Sequence, residues 1–387
     1  MKNRMNSKTD FRTLCVHAGE LKDTQHGGAI SPLYASTSYA FTEVKVGQYP
    51  RYFNTPNQRG LSEKIAALEG AEAGMIFGSG MAAISTALLS HLKSGDHVVF
   101  QDDLYGGTRN FIKHEFPKYG IEFSFTKGLK PSDFEHEIKE NTQGIYIETP
   151  SNPTLKIIDL EALAALAKKA DLWTMIDNTF ASPVNQNPIA LGIDIVIHSA
   201  TKYLGGHSDI CAGAVLGTKE CIERVFSSAK NFGGSLSDYT VWLLERSVKT
   251  LFIRVQAQNE NAQQIAEFLD ASDWVDHVFY PGLKTHPDHA LAKAQMHGFG
   301  GMLSFNLGAG VDSKKFLLSL ELIKPTMSLA GVESTALSPH LTSHSLLTED
   351  ERLAQGITPQ MIRFSTGIEA INDLKSDLLQ AYKKAIK

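Results

Sequence analysis

Apolar positions along this chain follow two rhythms. Leu61, Ile65 and Leu68 recur at the spacing of one helix face. Short apolar runs then predict strands over 75–77, 97–100, 144–147, 172–176, 193–197 and 212–216. Helical segments over 81–92 and 160–170 lie among them. Strands alternating with helices predict an α/β fold, with a large, mainly parallel sheet covered on its faces. After about residue 230 the helical rhythm dominates. Residues 237–269 read as one long or broken helix, and 302–307 and 361–365 as strands. Leu374, Leu378, Leu379, Tyr382 and Ile386 trace an amphipathic closing helix. This region is expected to form a smaller α+β C-terminal domain. Residues 1–60 have little periodicity and read as an extended arm. The expected division is therefore 1–60, 61–250 and 251–387.

Length and composition narrow the class. A chain of 387 residues exceeds one ordinary core, which agrees with two domains. A net charge of −5 offers no basic footprint for nucleic acid and no lipid-binding run. No apolar stretch approaches the roughly 20 residues of a membrane span, and residues 1–10 lack the apolar middle of a secretion signal. Cys15, Cys211 and Cys221 have neither paired nor metal-ligand spacing. Reduced thiols in a cytoplasmic protein are expected. No pair among the histidines has metal spacing on an obvious helix, so no metal is expected.

The chemistry centres on two strand ends. Asp177 closes a strand without other charges; a buried carboxylate needs a partner, such as a pyridinium, although capping the next helix is the plainer reading of this residue alone. Lys202 follows the next strand, within Ser199-Ala200-Thr201-Lys202-Tyr203. A lysine to form a Schiff base and an aspartate to keep a pyridine nitrogen protonated are what pyridoxal phosphate chemistry requires. If 199–202 is extended, Ser199, Thr201 and the lysine stand near one another and suit a phosphate. Gly78-Ser79-Gly80-Met81-Ala82-Ala83 is a glycine turn opening a helix, a second phosphate-binding device. The same run also fits the dinucleotide fingerprint of a nicotinamide oxidoreductase, or a turn made only for packing. The nicotinamide alternative explains neither Lys202 nor Asp177. Tyr105, just past a strand end, can stack on a flat ring; an ordinary loop tyrosine is the plainer reading. Asn152, between two prolines, can bond a ring hydroxyl or merely shape a turn. Arg363, in an apolar run, must find an anion, either a substrate carboxylate or an internal acid. His198 reads as packing or support behind the site.

Together these motifs resemble the Cys/Met-metabolism family of pyridoxal phosphate enzymes. The family includes cystathionine γ-synthase, cystathionine γ- and β-lyases, methionine γ-lyase and O-acylhomoserine sulfhydrylases. The resemblance rests on Ser79-Gly80-Met81, Leu104-Tyr105-Gly106-Gly107-Thr108, Glu148-Thr149-Pro150-Ser151-Asn152-Pro153, Asp177-Asn178-Thr179 and Ser199-Ala200-Thr201-Lys202-Tyr203. Tyr280-Pro281-Gly282-Leu283, His286-Pro287 and Gly300-Gly301-Met302 extend it. It implies the aminotransferase-like fold (fold type I) and pyridoxal 5'-phosphate as cofactor. Lys202 would carry the cofactor and shuttle protons. Asp177 would meet the ring nitrogen, and Tyr105 would stack and assist proton transfer. Gly80, Met81, Ser199 and Thr201 would hold the phosphate, with Thr179 beside the cofactor. Asn152, Ser328 and Arg363 would take the substrate. Tyr49 and Arg51 match a pair that reaches the phosphate of a neighbouring subunit. The arm would then be an interface element, and the protein at least a dimer, typically a tetramer.

The resemblance implies carbon–sulfur chemistry on a small sulfur amino acid, with γ-elimination or γ-replacement on cystathionine or O-acylhomoserine expected ahead of β-elimination. Two departures bear on the substrate. Methionine γ-lyases of this type usually have Cys where Gly107 stands, and many cystathionine γ-enzymes have Glu where Met327 stands. The turn Asn54-Thr55-Pro56 also differs from the family's usual Asn-Pro-Thr.

Overall fold

The protein is seen in a computed structural model that describes residues 9–43, 47–342 and 348–386. The start of the expected arm (1–8) and residues 44–46 within it lie outside the described residues. Seven strands form the larger sheet: β1 (Ala73–Phe77), β2 (His97–Phe100), β3 (Glu122–Phe125), β4 (Thr142–Glu148), β5 (Trp173–Asp177), β6 (Ile195–His198) and β7 (Gly213–Gly217). Their order is β1-β7-β6-β5-β4-β2-β3. The β6–β5–β4–β2–β3 run is parallel, and β7 is antiparallel to its two neighbours, β1 and β6.

Strand side chains alternate between faces, so one run of sequence feeds two cores. Ile76, Val99, Ile145, Ile147, Ile176, Val196 and Leu216 enter one apolar cluster. Met75, Phe77, Val98, Phe100, Tyr146, Met175, Ile195, Ile197 and Val215 enter the other. This two-sided burial explains why the strands read as continuous apolar runs rather than as alternation. The second sheet has five strands, β8 (Val275–Phe279), β9 (Met302–Leu307), β10 (Lys324–Pro325), β11 (Thr335–Leu337) and β12 (Met361–Ser365), in the order β10-β11-β12-β9-β8. Leu303, Phe305, Ile362 and Phe364 pack there against the helices Leu251–Asp270 and Ile371–Ala385.

Several expectations need adjustment. The helix read from Leu61 begins at Pro56, because Thr55 and Gln58 form a reciprocal capping box. The arm also carries a helix, Phe11–His17, and a 3-10 turn, Pro50–Tyr52. Of the two forms expected for 237–269, the broken one holds, as the helices Asp238–Val248 and Leu251–Asp270. Helices Gly106–Glu115 and Lys219–Phe232 were not expected, although Ile222, Val225 and Ala229 of the latter do mark a buried face. Edge strand β3 is short and only partly buried, so its periodicity is weak. No helix among the described residues is long and apolar enough to cross a membrane.

Candidate active site

Parallel strands deliver their carboxyl ends to one side of a sheet, and loops leaving them build sites there. Here β4 ends in Glu148, β5 in Asp177 and β6 in His198. β1 runs into the glycine turn on the same side. The resulting cavity, of about 690 Å³, is lined by Gly80, Met81, Tyr105, Asn152, Asp177, Thr179, Ser199, Thr201, Lys202, Ser328 and Arg363. Eleven expected site residues thus meet in one place, although they span 284 positions of sequence, from 80 to 363.

Tyr49 and Arg51 do not line this cavity. Tyr49 is 40% exposed. Arg51 donates from Nη1 to the Lys230 carbonyl at 2.5 Å, and its guanidinium lies 4.8 Å from the Tyr52 ring centre.

The turn at the lysine departs from expectation. Residues 199–202 are not extended, because β6 ends at His198 and the chain bends back. Lys202 N donates to the Ser199 carbonyl at 3.0 Å, and Gly205 N to that of Ala200 at 2.8 Å. The bend aims the Lys202 side chain into the cavity, where Nζ donates to Ser328 Oγ at 3.2 Å. Burial, followed by the positive charge of Arg363, holds the Lys202 amine below its ordinary range. Ser328 sits in the left-handed region at φ +82°, unusual for a side-chain-bearing residue. Arg363 Nη2 donates to its carbonyl at 3.2 Å.

Asp177 is almost wholly buried. Its Oδ1 accepts from the backbone and hydroxyl of Thr179 at 3.0 and 2.5 Å. Thr179 Oγ1 in turn accepts from Ser199 N at 2.8 Å, tying the ends of β5 and β6 together. Burial pushes the Asp177 carboxyl up, while the Thr179 bonds oppose that. A carboxylate buried at the cavity in this way is suited to a cationic group entering it. Behind it, His198 Nε2 lies 2.5 Å from Glu69 Oε1, with each side chain buried. Asn178 Nδ2 donates to the same oxygen at 2.9 Å. Glu69 was missed at the level of sequence because it stands 129 positions from His198 and reads as a helix-end acid.

The glycine turn has the close approaches a phosphate cradle requires. A Cβ on Gly80 would stand 2.8 Å from Ser199 Cβ, and one on Gly213 would stand 2.1 Å from the Ser79 carbonyl oxygen. Ser79 caps the helix Gly80–His91 through Ala82 N, and Gly80 and Met81 of the first turn line the cavity. Thr201 lines the cavity, but its hydroxyl donates to the Ala212 carbonyl at 3.1 Å. A dinucleotide fold is excluded by topology. Its fingerprint needs a parallel βαβ unit, whereas β1 is an edge strand paired antiparallel with β7.

Tyr105 is held at its backbone, where its N–H donates to Glu148 Oε2 at 2.9 Å, leaving a 43% exposed side chain at the cavity. Glu148 is a supporting residue that sequence reasoning placed only within a motif. Arg363 Nη1 donates to Asn152 Oδ1 at 3.2 Å. The hydrogen-bond partners found for Arg363 are thus neutral oxygens, the amide of Asn152 and the carbonyl of Ser328. Burial pushes its pKa down to about 10. A fully buried cation supported by neutral oxygens is suited to a carboxylate arriving from solution. Lysine, aspartate, ring face, phosphate cradle and carboxylate clamp in one cavity fit pyridoxal phosphate and an amino acid.

Comparison with known proteins agrees. The family described as Cys/Met metabolism PLP-dependent enzyme matches residues 12–383. A cystathionine β-lyase of Lactococcus lactis is 42% identical over 380 residues, 97% of this chain and 100% of its own length. A cystathionine γ-lyase of Bacillus subtilis is 43% identical over 375 residues, covering 96% and 98%. The crystal structure of cystathionine γ-lyase from Lactobacillus plantarum complexed with L-serine superposes with a TM-score of 0.94 at 37% identity, covering 97% of this chain and 99% of that one. The chain is an enzyme of the Cys/Met-metabolism family, dependent on pyridoxal phosphate.

Proposed function

We propose that this enzyme cleaves the carbon–sulfur bond of cystathionine by γ-elimination, releasing cysteine, 2-oxobutyrate and ammonia. The observation that carries the reading is the meeting of Lys202 with Asp177 and the Asn152–Arg363 pair in one cavity. Pyridoxal phosphate supplies a ring that withdraws the electrons left when the substrate loses its α proton. Asp177 would keep that ring's nitrogen protonated. Gly80, Met81, Ser199 and Thr201 line the cavity and would hold the phosphate, while Thr179 holds Asp177 in place. The Tyr105 side chain would stack on the ring. Arg363 and Asn152 bind the substrate carboxylate and so orient the α-carbon toward Lys202.

Lys202 anchors the cofactor and moves protons. A neutral amine is needed for that, and burial together with the Arg363 charge favours neutrality. γ-Elimination requires a proton from the α-carbon and then one from the β-carbon. A single amine on a four-carbon stem, within hydrogen-bond reach of the Ser328 hydroxyl, can serve these adjacent positions. The B. subtilis and L. plantarum relatives support γ chemistry; the L. lactis relative keeps β-elimination, yielding homocysteine and pyruvate, as the second reading. Incubation with L-cystathionine decides between them. 2-Oxobutyrate supports the proposal, and pyruvate alone replaces it with the β reading.

The chain is further proposed to divide at 1–60, 61–250 and 251–387, with the first segment contacting a second copy. Tyr49 and Arg51 lie outside their own cavity, which suits side chains that complete a neighbour's. A cytoplasmic homo-oligomer, with its cysteines free, is the setting this implies.

A further inference from the structure

The cavity continues past the groups assigned to the reacting amino acid. Gly106, Arg109, Asn110, Lys113 and His114, on one side of the helix Gly106–Glu115, line its wall. Lys113 stands eight residues beyond Tyr105, about 12 Å along the helix axis at the usual rise. Across from it is the helix Glu349–Ala354, which adds Glu351 to the lining. Lys113 Nζ and Glu351 Oε1 are 3.5 Å apart, with the side chains 40% and 38% exposed.

The charges here are not equally available. Arg109 is committed: its Nη1 contacts Asp102 Oδ1 at 2.6 Å, and its guanidinium lies 4.3 Å from the Phe125 ring centre. Asp102 is held a second time, by Gln355 Nε2 at 3.3 Å. Glu351 uses Oε2 to cap its own helix through Thr348 N at 2.9 Å, which fixes the carboxylate and leaves Oε1 toward Lys113. Lys113 and Glu351 are therefore a positive and a negative charge, side by side, at the far end of the cavity. A half-exposed pair of this kind contributes little to folding. Its geometry is that of a receptor for a zwitterion.

We propose that Lys113 and Glu351 bind the second α-amino-acid group of a substrate that carries one at each end, Glu351 taking the ammonium and Lys113 the carboxylate. The inference rests on the carbon–sulfur reading above and adds specificity to it. A substrate with a short apolar tail reaches Lys202 equally well but leaves the far pair closed on itself.

The test compares L-cystathionine with S-ethyl-L-homocysteine, which has the same thioether without the far amino-acid group. Kinetics are measured on the holoenzyme, and on Lys113→Met and Glu351→Gln. Each variant is expected to raise KM for cystathionine about tenfold, the loss of one charge-assisted contact, with kcat unchanged. S-ethyl-L-homocysteine is expected to stay within about twofold. Equal shifts on the two substrates, or none on cystathionine, overturn the proposal. Calorimetric binding of cystathionine separates this from the function itself. If the unmodified protein binds cystathionine without cleaving it, the functional reading fails, and the variants' affinities still judge the pair. If it does not bind, the pair has no such role.

Discussion

Glu148 and Asp177 stand opposite each other as paired residues at the carboxyl ends of the neighbouring parallel strands β4 and β5. Two buried acids so placed do not ionise independently. Burial, followed by the Asp177 charge, pushes the Glu148 carboxyl well above its ordinary range. Burial pushes the Asp177 carboxyl up as well, but there the two Thr179 bonds oppose the rise. Of the two, Glu148 is pushed further toward its neutral form, and its Oε2 accepts from Tyr105 N.

That shift has a pH signature. An acid whose pKa is raised by folding stabilises the fold below its unfolded value and loses that contribution as pH rises through the folded one. Glu148→Gln is neutral at every pH. Its melting temperature relative to the parent should be lowest at and below about pH 4, the ordinary glutamate range, and improve toward neutrality. Thermal unfolding of the two apoproteins across pH checks this. A difference that is flat with pH removes the neutral assignment.

Lys202→Ala removes the amine proposed to move the α and β protons. Turnover should fall by at least about a thousandfold, the upper range of acid–base contributions. The visible absorption of the purified protein should change as the covalent link to the cofactor is lost. Steady-state assay and an absorption spectrum read the two effects separately.

Arg363→Ala leaves the Ser328 and Asn152 oxygens without their donor and removes the proposed clamp on the substrate carboxylate. A charged hydrogen bond contributes about 1.5–3 kcal/mol. kcat/KM should therefore fall roughly tenfold to a hundredfold. Cofactor affinity should be retained, because no contact assigned to the phosphate involves Arg363. Titration of apoprotein with cofactor, followed by kinetics, tests that separation.

Glu69→Leu strips acceptors from the buried His198 and Asn178 and from the half-buried Asn187. Breaking such a buried network should destabilise the protein by about 3 kcal/mol. Denaturant unfolding measures it. Native stability in the variant would mean that the network relaxes or admits water.

Arg51→Ala and Lys202→Ala proteins should each be inactive or nearly so. If Arg51 serves the cavity of a second copy, unfolding and refolding them as a mixture should restore activity, since some sites then receive one intact residue from each chain. No recovery would place Arg51 outside a shared site.

The chemistry was legible in the sequence because it rests on residue types in short runs: lysine among hydroxyls, aspartate at a strand end, glycines opening a helix. The strands of the large sheet were legible for a related reason, since burial on two faces leaves nearly continuous apolar runs such as those of β2 and β6. Where burial was partial, as in β3, the signal faded with it. Local sequence carries no record of what arrives from elsewhere in the chain. Only the tertiary structure brings Arg363 to Asn152, Glu69 to His198 and Glu351 to Lys113. It also decides that β7 runs antiparallel beside β1, which removes the dinucleotide reading that the glycine turn left open. Strand direction and long-range pairing follow from how the cores close, and a window of a few residues does not contain that information.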